Sequence, residues 1–284
     1  MGLVINTNVS SLIAQRQLYN NTQNVNRSFE KLSSGLRINR ASDDAAGLNI
    51  SENLKTQIRG NEKSISNAQD GVNVLQIAEG ALNVISENLQ RIRELTVQGA
   101  NDTNSSRERK AISMEIQSRV EDINRIAQTT RSNNINLLDG TATTFHLQVG
   151  ANSNQTQNTT NIGSVFVDSD ASALGITSTI TTASGGVMES NSQARAFLDE
   201  IDSALNNVLT RRAQIGAFQN RLESSIESLS IANENFQATN SRIRNLDIAA
   251  ETAKLTQLQI LQQSAVGIMS QANQAPNLAL RLLG

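Results

Sequence analysis

The chain has 284 residues, a formal net charge of -2 and no cysteine, and 38% of it is hydrophobic while only 2% is aromatic. Without cysteine there is no disulfide framework, thiolate nucleophile or Cys-ligated metal, a composition compatible with a chain that stays unfolded and uncrosslinked during transit. Near-neutral charge with a pI near 5.6 gives no electrostatic footprint for nucleic acid, and so few bulky rings suit helix-on-helix packing better than one large core.

From its start, Met1 to Ser10 lacks the charged beginning and long apolar core of a secretory signal, and no apolar run reaches the roughly 18 residues of a membrane span. Ile5, Val9, Leu12, Tyr19, Leu32 and Leu36 mark an amphipathic helix, continuous or interrupted, that ends near Gly35. Arg16, Arg27, Lys31, Arg37 and Arg40 oppose Glu30 alone over residues 1–40. Spaced among Asn, Ser and Gln, these charges read as a solvated helix face in preference to a surface for anionic lipid or nucleic acid.

The segment Arg40-Ala-Ser-Asp-Asp-Ala-Ala-Gly47 opens the next helix, with Ser42 as the expected cap and Asp43 and Asp44 at the positive end of the helix dipole. A cation would need a third ligand, and none is near in sequence. From there an apolar stripe at alternating three- and four-residue steps runs Ile65, Ala68, Val72, Leu75, Ala78, Leu82, Ile85, Leu89, Ile92, Leu95. Gly99 and the polar run to Ser106 stop it. A helix from Ser42 to Gln98 would be about 85 Å long, whereas a compact globule of this length has a radius of gyration of about 19 Å. A third helix, Arg107 to about Arg131, carries Ile112, Ile116, Val120, Ile123 and Ile126 on one face and turns back along the first long one.

Between Asp139 and Ser190 the helical period disappears. Phe145, Leu147 and Val149 alternate with polar residues, Val165 to Val167 is short and β-branched, and Gly150, Gly163, Gly175, Gly185 and Gly186 punctuate the stretch. Residues 141–190 hold Asp168, Asp170 and Glu189 with no Lys or Arg. This reads as a β-hairpin and loop at the far end of a helical rod, contributing only locally and dispensable to the seams; its Ser and Thr are polar loop before they are O-glycan sites. Past Gln193 a second long helix carries Ile215, Phe218, Leu222, Leu229, Ala232, Phe236, Ile243 and Leu246, skipping polar Ser225 and Thr239. From about Asn245 a terminal segment has Leu255, Leu258, Leu261, Ala265, Ile268 and Ala272 on one side, and Pro276 is expected to end it.

A sustained a/d repeat closes a narrow seam between helices. The fold class is therefore mainly α: a long antiparallel helical rod, coiled-coil-like, with a small β-hairpin excursion in the middle. The expected seam is Ile65, Val72, Leu75, Leu82, Leu89, Ile92, Ile215, Phe218, Leu222, Leu229, Phe236 and Ile243.

Catalytic constellations are absent from the sequence. The single histidine, His146, sits in the alternating Phe145 to Val149 stretch and reads as an outward-facing strand residue. One His cannot build a zinc motif or a Ser-His-Asp triad, and neither a P-loop nor a dinucleotide glycine fingerprint occurs. No enzyme and no cofactor are expected.

Four stretches carry a resemblance: Asn6-Thr-Asn-Val-Ser-Ser11, LSSGLRINRASDDAAGL (Leu32 to Leu48), AEGALNVISENLQRIRELTVQGAN (Ala78 to Asn101) and ILQQSAVGIMSQANQAPNLALRLL (Ile260 to Leu283). Together they resemble bacterial flagellin over roughly residues 1–150 and 190–284, with a middle that departs by its shortness. The resemblance implies an extracellular filament subunit that polymerises with itself. It divides the chain into an N-terminal inner-core segment (1–41), two rod parts (42–140 and 191–244), a variable region (141–190) and a C-terminal inner-core segment (245–284). Paired helices at the two ends would line the filament core, with Ile5, Val9, Leu12, Leu258, Leu261, Ala265 and Ile268 as terminal assembly residues.

It further implies unfolded export through the flagellar type III apparatus, a chaperone on the C-terminal segment, and cap and hook-junction proteins as partners. A flagellin-sensing Toll-like receptor would read Arg91, Leu95 and Gln98 in LQRIRELTVQ together with Glu115, although Leu95 also belongs to the seam. A hook-filament junction protein shares the logic of terminal pairing. A chemoreceptor-like signalling rod would need a membrane span or sensory module that this sequence lacks.

Overall fold

The computed structural model describes residues 7–176 and 191–283, with only the backbone of residues 191 and 275–283. The fold is mainly α, as expected, with two small antiparallel strand pairs. Chain packing defines two compact units, one of residues 58–233 and one of residues 1–57 with 234–284. Two long helices, α2 (Ala45–Gly99) and α5 (Asn191–Arg244), contribute residues to both.

In the unit of residues 58–233, the expected stripe of α2 is the core: Ala68, Val72, Leu75, Ala78, Leu82, Ile85, Leu89, Ile92 and Leu95 are buried. Helix α3 (Ser106–Thr129) begins with a capping box, the Ser105 hydroxyl accepting from the Glu108 N–H while Glu108 accepts from the Ser105 N–H. Donation from the Ser105 N–H, and next from its hydroxyl, holds the Glu108 carboxyl below its ordinary pKa. α3 buries Ile112, Ile116, Val120 and Ile123 and runs antiparallel to α2, with Arg91 on Glu115 and Arg119 on Asn88. Each fully buried Leu or Ile contributes about 1.5–3 kcal/mol relative to exposure.

The seam on α5 starts earlier than expected. Ala194, Phe197, Ile201, Ala204 and Val208 are buried ahead of Ile215 and Leu222. They follow the same alternating steps, and extending that count places Arg211 in a seam position. A charge there needs partners. The Arg211 guanidinium donates to the Asp168 carbonyl and the Ser169 hydroxyl, both at 2.6 Å, and burial pulls its pKa down. Phe218 and Leu229 are half-buried, as is Ile65 on α2.

The middle segment forms the small β excursion expected from the sequence, but it is less peripheral than expected, because its apolar residues enter the core. After α3 come strands β1 (Arg131–Ser132) and β2 (Ile135–Asn136), joined by Asn133 and Asn134 at φ 45 and 68. Asn tolerates this left-handed region, and two such residues match the twist of a tight hairpin. Leu137 and Leu138 follow, fully buried. Strand β3 (His146–Gln148) pairs with β4 (Thr159–Asn161) across the one-turn helix α4 (Gln155–Asn158). His146 is exposed, as expected, while Leu147 is buried.

Beyond β4, Ile162, Val165, Phe166, Ala171, Leu174 and Ile176 join the same core as α2, α3 and α5. Helix α2 makes room for the hairpin with two glycines on one face. A Cβ at Gly60 would overlap Ala151 and one at Gly71 would overlap Leu147, while Asn67 between them donates to the Gln148 carbonyl at 3.1 Å.

In the unit of residues 1–57 and 234–284, α1 (Val9–Ser34) is uninterrupted and ends at Gly35, whose φ of 68 closes the helix in the left-handed region. The connection that follows is tied to the end of α5. Arg37 donates its N–H to the Arg244 carbonyl and its guanidinium to the Ile243 carbonyl, each at 2.7 Å, and the Leu246 N–H returns to the Gly35 carbonyl at 3.0 Å. These bonds satisfy α5 carbonyls that have no partner within the helix. Arg244 pairs with Glu52, and that pairing holds the Glu52 carboxyl below its ordinary pKa.

Helix α2 is capped by Asp44 and not by Ser42: Asp44 Oδ1 accepts from the Gly47 N–H at 2.9 Å. Asp43 instead accepts the N–H groups of Arg40 and Asn39, which lower its pKa. Ser42 precedes the first helical residue by too much to reach the free amides.

Helix α6 (Ile248–Leu283) continues through Pro276, against expectation. Proline at position 276 has no N–H for the Ala272 carbonyl, the partner four residues back. Asn8 supplies the substitute, donating Nδ2 to that carbonyl at 2.7 Å while its Oδ1 caps α1 by accepting from the Ser11 N–H.

Candidate assembly and recognition surfaces

Helices α1 and α6 pair antiparallel through small and polar groups. Ser28 donates to Glu251 at 2.7 Å, Gln262 to Thr22 at 3.0 Å and Ser11 to Asn273 at 2.6 Å. The buried residues of this pairing are Ala14, Asn21, Val25 and Ser28 on α1 and Ala265 on α6.

The expected terminal assembly residues mostly lie outside the buried part of this pairing. Val9 and Leu12 are 59% and 58% exposed, Leu261 is 45% and Ile268 60% exposed, and Leu258 is half-buried. Of the expected set only Ala265 is buried, and Ile5 lies outside the described residues. Ile13, Tyr19, Ile260 and Val266 are exposed as well. Helical spacing explains this: small residues let the two backbones approach, so the larger ones occupy the outer faces. Phe236 and Ile243, on the part of α5 in the same unit, are half-buried.

On the other unit, Arg91 and Gln98 are exposed and Glu115 is half-buried, and Arg91 bridges Glu94 at 3.0 Å and Glu115 at 3.3 Å. Bonding to Glu94 first, then to Glu115, raises the Arg91 pKa above its ordinary value. Leu95 stands apart from them, since it is only 2% exposed and belongs to the core. It can position this surface but cannot present its side chain to a partner.

Sequence reasoning missed the pair Gly60 and Gly71, which seat the hairpin. Two glycines at an eleven-residue interval inside an unbroken helix are the signal that would have found them.

Comparison with known proteins agrees with this architecture. The bacterial flagellin N-terminal helical region matches residues 5–143 and the bacterial flagellin C-terminal helical region matches residues 198–283. A flagellin of Halalkalibacterium halodurans is 42% identical over 99% of this chain and 100% of its own. The flagellar filament 33 kDa core protein of Treponema phagedenis is 39% identical over 99% and 100%. A solved structure described as a flagellar hook-associated protein of Vibrio parahaemolyticus covers 72% of this chain and 100% of its own, with a TM-score of 0.57 at 18% identity, which shows a shared fold alone. The chain belongs to the bacterial flagellin family, whose members are structural subunits of the extracellular flagellar filament.

Proposed function

We propose that the chain is exported unfolded through the flagellar type III apparatus and polymerises through its two terminal segments. One observation carries this reading: α1 and α6 pair through small and polar groups and leave large apolar residues outward, more than half exposed at Val9, Leu12 and Ile268. Several large apolar residues left exposed on one helix pair mark an interaction surface, and further copies of the chain are its occupant. Residues 1–41 and 245–284 then form the inner core of the filament, 42–140 and 191–244 the helical layer around it, and 141–190 the variable region. The export chaperone binds residues 245–284 before assembly, and cap and hook-junction proteins meet the growing and basal ends. A hook-filament junction protein, which shares the logic of terminal pairing, is the second reading; full-length identity to flagellins favours the filament subunit.

The test is limited proteolysis of monomer and filament side by side. Arg40 lies in an exposed turn, its side chain 68% exposed, so the monomer is expected to be cut there first. Arg244, whose carbonyl is bonded to Arg37, is cut only after that connection opens. Filaments should resist at both places, and equal resistance of monomer and filament would end the assembly-coupled reading.

The monomer is recognised by a flagellin-sensing Toll-like receptor through Arg91, Gln98 and Glu115, supported by the exposure of Arg91 and Gln98 and by the ion pair that holds half-buried Glu115 beside Arg91. Exposed ion pairs contribute little to stability, so Arg91→Ala should shift unfolding by about 0.5 kcal/mol or less. A buried Arg at an interface commonly dominates binding, so receptor signalling should drop by about tenfold or more. Parental signalling by Arg91→Ala would remove this surface from the reading.

A further inference from the structure

We propose that a cationic cleft in the unit of residues 1–57 and 234–284 receives the Glu223 and Glu227 carboxylates of a second copy, a charge contact between copies in the filament. The inference rests on the chain being a filament subunit and adds a defined electrostatic contact to it.

The cleft consists of two adjoining hollows of about 390 and 310 Å³ that share Arg27 and Lys31 of α1. Arg37 and the start of α2 complete the first, and Lys254 of α6 the second. Three carboxylates also line it and keep their charge, with Lys31 acting on Asp43, but four cations, Arg27, Lys31, Arg37 and Lys254, outnumber them, and each acid is hydrogen-bonded within the unit. Asp43 accepts backbone N–H groups of Asn39 and Arg40, Asp44 that of Gly47, and Glu251 the Ser28 hydroxyl. Arg37 is committed to the Ile243 carbonyl. Arg27, Lys31 and Lys254 make no salt bridge among the described residues.

Arg27 and Lys31 are one helical turn apart, an arrangement that repels within an isolated helix. A counter-charge from outside relieves that repulsion. The matching pair stands on α5. Glu223 and Glu227 are also one turn apart, both are exposed, and neither has a salt bridge among the described residues. Side chains at this spacing are about 5–6 Å apart on either helix, so two carboxylates meet two cations in register. Each pair is unfavourable alone and favourable with the other. A second copy supplies the acids at the high local concentration of a growing filament end.

The experiment is a charge swap read by extension of preformed parental filaments at fixed ionic strength. Parent monomer must extend these seeds, and if it does not, the filament reading itself fails. Arg27→Glu with Lys31→Glu, and separately Glu223→Lys with Glu227→Lys, are each expected to slow extension by about tenfold or more, because like charges across an interface repel. Circular dichroism should match the parent, since Arg27, Glu223 and Glu227 are exposed and Lys31, half-buried, opens onto the cleft. The chain carrying all four substitutions, seeded on filaments of its own kind, should recover to within about threefold of the parent. The milder Arg27→Gln with Lys31→Gln keeps the test readable if a reversal disturbs folding, and an intermediate slowing is expected. Unchanged extension by the cleft variants overturns the contact. So does a fourfold variant no better than the double ones, which would assign the cleft to some other anion such as free phosphate.

Discussion

Replacing Phe166 by Ala is expected to destabilise the protein by about 3–5 kcal/mol, the usual loss for a large ring deleted from a packed core. Phe166 is fully buried and meets Phe145 edge to face, with ring centroids 5.7 Å apart and planes at 81°. Its neighbour Val167 is 41% exposed. Val167→Ala is therefore the control, expected within about 0.5 kcal/mol of the parent. Urea unfolding followed by helical circular dichroism measures both. A loss for Phe166→Ala no larger than that for Val167→Ala would mean that the middle segment is peripheral after all. The same argument reverses the expectation that the middle can be exchanged for a short Gly/Ser turn. Exchanging residues 152–176 would remove Ile162, Val165, Phe166, Leu174 and Ile176 from the core together and leave α2, α3 and α5 with an open face.

What the sequence made legible depends on how local the signal was. The α2 stripe from Ala68 to Leu95 and the α3 stripe from Ile112 to Ile123 were read from spacing alone, because long regular helices repeat their burial every few residues. The end of α1 at Gly35 and of α2 at Gly99 were equally local. The middle segment was misread because its buried residues have no period: Leu138, Ile162 and Phe166 are brought into the core by irregular backbone, held through contacts such as the Ser169 N–H on the Leu138 carbonyl at 2.9 Å. Arg211 concealed the continuity of the α5 seam, since a charge in an apolar register looks like its end. The Asp168 carbonyl and the Ser169 hydroxyl, some forty residues away in sequence, make the position tolerable. Pro276 was misread for a related reason, the freed Ala272 carbonyl being answered by Asn8 at the other end of the chain. The terminal residues are legible as apolar assembly residues, but a stripe read from one helix does not say which neighbour covers it, and within the chain most of them stay exposed.

That last distinction gives the largest functional effect. Leu12 and Ile268 are 58% and 60% exposed, so changing both to Ser removes little buried surface from the monomer, and its unfolding should move by about 0.5 kcal/mol or less. If neighbouring copies cover the exposed part, each contributes about 1–2 kcal/mol to every subunit added. The double variant should then need at least about twentyfold more monomer to extend parental filaments. Removal of residues 265–284 should go further and abolish extension, because it takes away Ala265, Ile268 and the carbonyl that Asn8 engages. The helices of residues 58–233 should persist, since their core draws on none of those residues. Sedimentation and negative-stain microscopy separate the possibilities. Extension of the Leu12→Ser, Ile268→Ser variant at the parental concentration would show that these side chains face solvent in the filament too, and the affinity between copies would then have to come from polar contacts on α1 and α6.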